Sequence, residues 1–306
     1  MNLPINNIQS VQNEYSNNDQ AILKMFYRNL KSENTRRSYK TAISTFFNFV
    51  DKPLAEITLN DIQDYLDTLK ESKKTTQSQR ISAISSLYSF SIKIGYLRYN
   101  PFLVVNKPKP SSRPIEKFLS EEEIKKIWEV LKEKKRNAVI GSLLITTGLR
   151  VAELCNIKMK DFFTDDYGNI GIYIYDTKGE KNREIKVRPD VFEYIYEYGD
   201  SLDRKISIPD IKNNEYLLTT RTNNRVTEDY IRKIIKNASA KAGINKNVSP
   251  HWFRHTSASL SIKNGCDIAK VTENFGWSSL KVAKRYLHNM DRLTNTSVDY
   301  VQVSLD

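Results

Sequence analysis

Asn-Lys-Pro-Lys-Pro-Ser-Ser-Arg-Pro, residues 106–114, divides this chain of 306 residues into two differently patterned parts. Proline has no backbone N–H to give and disfavours helix, so Pro108, Pro110 and Pro114, with Pro101 just upstream, hold the segment semi-extended. Lys107, Lys109 and Arg113 make it basic, as expected of a strand of chain running across phosphates and equally of a solvated linker. We therefore expect a domain over 1–105, a linker over 106–116 and a second domain over 117–306.

Before the linker the apolar residues keep a helical period. Tyr39, Ala42, Ile43, Phe46, Phe47 and Val50 recur at three- and four-residue steps from Thr35 to Val50, with Arg36, Arg37 and Lys40 beside them. Thr58 or Asn60 is placed to cap a helix carrying Ile62, Tyr65, Leu66 and Leu69. A third runs from Thr75 to Ile94 with Ile81, Ile84, Leu87, Tyr88 and Ile92 inward, and Ile22 to Leu30 supplies a fourth. The spacing predicts a small four-helix domain.

After the linker, Ser120 followed by Glu123 reads as a capping box, and an apolar helix from Asn137 is expected to stop at Gly148. The period then changes to two. Ile170, Ile172 and Ile174 alternate with smaller or polar neighbours, as do Ile185 and Val187, and Thr177 to Asn182 between them contains Gly179. That is a hairpin. Helices resume after Pro189, from Thr227 to Ala242 and from Pro250 onward. The fold class expected is mainly α with a small antiparallel β-sheet, an all-helical first domain preceding an α+β second one.

The chain carries 48 Lys and Arg against 36 Asp and Glu, a formal charge of +12, which favours a polyanionic partner such as nucleic acid. No stretch is long and apolar enough to predict a membrane span; Ala138 to Leu149 is short and interrupted. Cys155 and Cys266, the two cysteines, make neither a metal motif nor a disulfide framework. A cytoplasmic, nucleoid-associated protein is expected.

Four features carry candidate chemistry. In Thr-Gly-Leu-Arg-Val-Ala-Glu-Leu (147–154), Gly148 breaks a helix and Arg150 opens the next, free to fork onto a phosphate or to pair with Glu153 three residues on. In Asp-Thr-Lys-Gly-Glu-Lys-Asn (176–182), Lys178 sits at a hairpin tip, where a lysine enters a groove or donates a proton, although tip lysines are also commonly just solvated. In His-Trp-Phe-Arg-His-Thr (251–256), the three-residue spacing sets His251 and Arg254 on one helix face. His251 and His255 have the spacing of a helical zinc pair, but no glutamate stands between them and Arg254 does, so no metal site is expected. His255 reads instead as a core histidine bonded to backbone, behind the reacting groups. Finally, Gly276 ends a helix and Ser278 or Ser279 caps the next, which carries Tyr286.

In order, Arg150, Lys178, His251, Arg254, Trp277 and Tyr286 form a set that resembles the tyrosine recombinase family, also called phage-type integrases. The similarity spans Glu116 to Met290, and Thr35 to Phe46 also looks like the family's first DNA-clasping helix. The sequence departs in one place: most members have His where Trp277 stands, though an indole N–H also donates to a phosphate oxygen.

The resemblance implies a simple two-domain enzyme that clamps duplex DNA. Tyr286 would attack a phosphodiester, leaving a 3′-phosphotyrosyl bond and a free 5′-hydroxyl. Arg150, Arg254 and Trp277 would stabilise the charge on the nonbridging oxygens, His251 would take or share the tyrosine proton or hydrogen-bond the phosphate, and Lys178 would protonate the 5′-oxygen. Glu153 would orient Arg150 or a neighbour. Arg36, Arg37, Lys40, Lys107, Lys109 and Arg113 are the expected phosphate contacts. No cofactor is expected, since the phosphotyrosine conserves bond energy. The partners implied are an inverted-repeat core site and a homotetramer on DNA that passes through a Holliday junction, the free protein being a monomer or weak dimer and the enzyme encoded by or acting on a mobile element. Its tail, Thr294 to Asp306, would dock on a neighbouring protomer through Val298, Tyr300, Val301 and Val303, residues equally suited to folding back. A type IB topoisomerase-like relaxing enzyme and a non-catalytic helical DNA-binding regulator remain open as other readings.

Overall fold

The computed structural model describes residues 17–108, 118–175, 182–204, 206–208 and 212–290, the side chains of 17, 285 and 287–290 excepted. Lys109, Arg113, Lys178 and the tail from Thr294 lie outside the described residues. The chain divides into two compact units, Met1–Ser112 and Arg113–Asp306.

Among the described residues the first unit has four helices, α1 (Asn17–Asn29), α2 (Glu33–Val50), α3 (Leu59–Thr68) and α4 (Lys74–Lys93), then a 3-10 turn at Pro101–Val104. Helix α2 starts where Ser32 caps it and stops where Asp51 turns left-handed, with the Asp51 N–H donating to Phe47 O. Thr58, the first of the two expected caps, forms a reciprocal box with Asp61 at α3. Apolar faces meet in a core of Phe26, Ile43, Phe46, Phe47, Ile62, Tyr65, Ile84, Leu87 and Phe102. In α4 the end of the face differs from expectation. Ser91 is buried, its hydroxyl donating to Leu87 O at 2.9 Å, and Ile92 is only half-buried. A short side chain that back-bonds one turn up fits that crowded end.

Buried Asp19 anchors α1 to this core by accepting from the Leu54 N–H at 2.9 Å and the Tyr96 hydroxyl at 2.5 Å. Arg36 secures the other end of α1. Its Nε donates to Tyr27 O at 2.9 Å, Nη2 to Leu30 O at 3.1 Å and Nη1 to Glu33 at 2.7 Å. These carbonyls are the ones a helix C-terminus leaves unpaired. Arg36, one of the expected phosphate contacts, thus has its guanidinium engaged in joining α1 to α2 while its side chain stays 39% exposed. Arg37, Lys40 and Lys107 are exposed.

The second unit comprises α5 (Glu121–Lys132), α6 (Lys135–Thr147), α7 (Val151–Asn156), β1 (Phe162–Thr164), β2 (Ile170–Ile174), β3 (Arg183–Lys186), α8 (Pro189–Asp200), α9 (Glu228–Lys241), α10 (Pro250–Lys263), α11 (Ile268–Asn274) and α12 (Leu280–Met290). Ser120 and Glu123 form the expected box at α5. The strands make one antiparallel sheet in the order β1-β2-β3, with Ile172 opposite Ile185 and Ile174 opposite Arg183. Strand β1, three residues long, is too short to show a period in sequence. Phe163 on β1, paired with Gly171, meets the Tyr173 ring with centres 4.2 Å apart and planes tilted by 30°. A Cβ at Gly171 would lie 2.4 Å from the Phe163 ring, so this register needs glycine there.

The inner residues Ile172, Ile174 and Ile185 join Leu143, Leu144, Leu154, Phe192, Ile231 and Phe253 in a core beneath the sheet. A smaller cluster of Ala258, Val271, Phe275 and Tyr286 fastens α11 and α12 to α10. The site is built where these two cores adjoin.

Candidate active site

Helix α6 ends at Gly148, whose φ of 60° is left-handed and whose missing side chain makes room for the Phe275 ring, 2.3 Å from where a Cβ would sit. The turn buries Leu149 and sets Arg150 as the cap of α7. Arg150 donates to Glu153 at 2.7 Å through Nη1 and to Gly276 O at 3.1 Å through Nη2, and its side chain remains 36% exposed. It therefore pairs with Glu153, as one of its two readings expects, and keeps an open face.

Glu153 also accepts the Arg150 backbone N–H at 2.7 Å and a fork from Arg183, at 3.0 and 2.8 Å. Burial alone would raise its pKa. The hydrogen bonds and charge of Arg183, with those of Arg150 behind them, hold the carboxyl below its ordinary range instead.

Helix α10 opens at Pro250 and presents His251 and Arg254 one turn apart. His251 is exposed, and desolvation, followed by the fields of Arg254, Arg232 and Arg150, lowers its pKa. A neutral imidazole at neutral pH is the form that accepts a proton. Arg254 is only 5% exposed. It donates to Gly148 O at 2.7 Å and to Phe275 O, and its guanidinium lies 5.1 Å from the Phe275 ring centre. Burial, and then repulsion from Arg150, pull its pKa down to about 10, still far enough above neutrality to keep the cation. Among the described residues no carboxylate comes within 4.0 Å of it.

Three arginines converge on the end of α11. Arg183 Nε donates to Asn274 O at 2.8 Å, Arg254 to Phe275 O and Arg150 to Gly276 O. Successive carbonyls at a helix C-terminus are unpaired and carry the negative end of its dipole, which offsets part of the cost of gathering these charges. The same turn delivers Trp277, whose ring stacks on Tyr286 with centres 5.0 Å apart and planes inclined by 15°. Tyr286 is 3% exposed, and its hydroxyl lies 2.5 Å from Nδ1 of His255.

The expectation for His255 is corrected by that contact. Its ring is half-buried and meets the tyrosine hydroxyl, because one further turn along α10 points at the side where α12 packs. The two histidine rings are 6.5 Å apart. Sequence reasoning missed Arg183 altogether. A signal existed, since residue 183 is in phase with Ile185 and Val187 and so falls on the buried face of its strand. The structure brings together Arg150, Glu153, Arg254, His255, Trp277 and Tyr286, with His251 beside Arg254 on α10. Arg37, Lys40 and Lys107 belong to the other unit.

Residues 117–292 match the family described as the phage integrase family, and residues 18–94 match the N-terminal SAM-like domain of phage integrases. Tyrosine recombinase XerD of Oceanobacillus iheyensis is 30% identical over 270 residues, 84% of this chain and 88% of that protein. Among solved structures, XerH site-specific recombinase bound to a palindromic difH substrate in a post-cleavage complex superposes with a TM-score of 0.70. It is 22% identical, and the match covers 84% of this chain and 77% of that one. A lambda integrase tetramer bound to a Holliday junction superposes with a TM-score of 0.68 at 17% identity, over 87% and 76% of the two chains. At these identities the two structures speak for the fold.

Proposed function

This chain belongs to the phage integrase family and is a tyrosine recombinase, an enzyme that breaks and rejoins DNA; we propose that Tyr286 is its nucleophile and that Arg150, Arg254, His251, Trp277 and Lys178 complete the site. The observation that carries this reading is Arg254. A buried cation with no carboxylate among the described residues within 4.0 Å is costly unless an anion arrives, and Arg150 shares its anchoring turn. A scissile phosphate held by both arginines supplies the missing charge.

The reaction follows from the residues. Tyr286 Oη forms a bond to phosphorus, the bond from phosphorus to the 5′-oxygen breaks, and a 3′-phosphotyrosyl link and a 5′-hydroxyl result. The phenolic proton passes to His251 or to a group it orients, and Lys178 supplies the proton for the 5′-oxygen. The two guanidiniums and the Trp277 N–H stabilise charge growing on the nonbridging oxygens. Attack by a different 5′-hydroxyl reverses the sequence and joins new strands. Because Tyr286 is buried against Trp277 and His255, α12 must release its hydroxyl before attack.

The family relation supports duplex DNA with inverted core repeats as substrate, a homotetramer passing through a Holliday junction, exchange of the segment from Thr294 between protomers, and a cytoplasmic, nucleoid-associated setting on a mobile element. In that arrangement Arg36, Arg37, Lys40, Lys107 and Lys109 of the unit Met1–Ser112, with Arg113 at the start of the second unit, contact phosphates, and those contacts supply much of the affinity. Sequencing genomic DNA covalently trapped by the protein tests this. Flanking inverted repeats at a defined position are expected. Random sequence with supercoil relaxation would favour a topoisomerase, and no trapped DNA a non-catalytic regulator.

A further inference from the structure

We propose that Arg183 is a positioning residue for DNA cleavage, acting through Arg150 and without touching the phosphate; this rests on the reading of the site given above. Its side chain is 5% exposed, and each of its three nitrogens already donates within the site. These donors go to two parts of it. Nη1 and Nη2 fork onto both Glu153 oxygens, and Nε holds Asn274 O.

Two consequences follow. Glu153 is shared between Arg150 and Arg183, so the three side chains together keep a net positive charge. Were Glu153 paired with Arg150 alone, that pair would be neutral and the carboxylate would offset part of the guanidinium's pull on an incoming phosphate. Arg183 therefore keeps Arg150 available as a cation. It also fixes the turn from which Arg150 and Arg254 take Gly276 O and Phe275 O. The packing is close: a Cβ on Gly276, where φ is 56°, would lie 3.0 Å from Arg183 Nη1. Guanidinium placement thus depends on a residue at the far side of the carboxylate.

The test is single-turnover cleavage of a nicked suicide duplex at saturating protein, with binding measured separately. Arg183→Met should bind within about threefold of wild type and cleave ~10²-fold more slowly, the scale of a misplaced reacting group. Arg183→Lys, which keeps the charge and loses the fork, should fall between. In an Arg150→Ala background the further change Arg183→Met should cost much less than in wild type, since the part that acts through Arg150 is gone and only the hold on the Phe275 turn remains. Should Arg183→Met fail to fold by circular dichroism, Arg183→Lys carries the same cycle. Wild-type cleavage by the folded variants, or losses that multiply in the double variant, would overturn the proposal while leaving the recombinase reading intact. A wild-type protein that forms no adduct would overturn both.

Discussion

The Tyr286 hydroxyl and Nδ1 of His255 are 2.5 Å apart, within a stack that leaves the tyrosine 3% exposed. The group proposed to attack phosphorus is thus held by a neighbour on α10, and the energy of that hold sets part of the cost of deploying it. A net hydrogen bond contributes about 1 kcal/mol, a factor of roughly five in an opening equilibrium. His255→Phe keeps a ring of similar size and removes the bond. Amide exchange along α12 should then accelerate about fivefold. Unchanged exchange would mean that packing alone holds the helix.

Trp277 has two separable jobs, stacking on Tyr286 and offering an N–H. Trp277→Phe retains a stacking ring without the donor, Trp277→His retains a donor on a smaller ring, and Trp277→Ala retains neither. Thermal midpoints should fall in the order Phe, His, Ala. If the N–H reaches the phosphate, cleavage rates should instead rank His above Phe. Rates that follow the thermal order would assign Trp277 to packing.

Glu153 provides an acid-side signature. Its folded pKa lies below the unfolded value of about 4.3 because Arg183 and Arg150 outweigh burial. The unfolded chain therefore binds the proton first. The stabilisation is fully present above about pH 4.3 and is lost as pH falls through the lower folded value. Urea midpoints of wild type and Glu153→Gln should differ by a constant amount above that pH and converge below it. A difference that persists into acid would show that Glu153 is not held ionised.

Much of this was readable in the sequence because periodicity is a local signal. The helices of the first unit follow their three- and four-residue apolar steps, and the hairpin follows its alternation. What escaped is tertiary. Arg36 looks like any basic residue on a helix until the carbonyls of Tyr27 and Leu30 are brought beneath it. His255 and Tyr286 are 31 residues apart, and only the packing of α12 on α10 joins them. Arg183 lies between these cases: strand phase places it inward, but its partners Glu153 and Asn274 come from two other elements.

Lys178 is assigned as the proton donor through its place in the ordered motif set, and Lys181 stands three residues away. A sulfur at the 5′-bridging position leaves without needing a proton. Lys178→Ala should cleave ordinary DNA ~10²–10⁴-fold more slowly and recover on the sulfur substrate. Arg150→Ala, which loses charge stabilisation, should stay slow on both. Rescue of Lys181→Ala in place of Lys178→Ala would move the acid to Lys181.

The identity of the nucleophile is the centre of the account, since 17 tyrosines are present and one is singled out. Trapping the protein on a nicked suicide duplex, digesting both polymers and sequencing the modified peptide by mass spectrometry locates the bond directly. The account predicts a 3′-phosphonucleotide on Tyr286 and, for Tyr286→Phe, normal DNA binding with no adduct. A modification on any other residue, or an adduct that survives Tyr286→Phe, would contradict it.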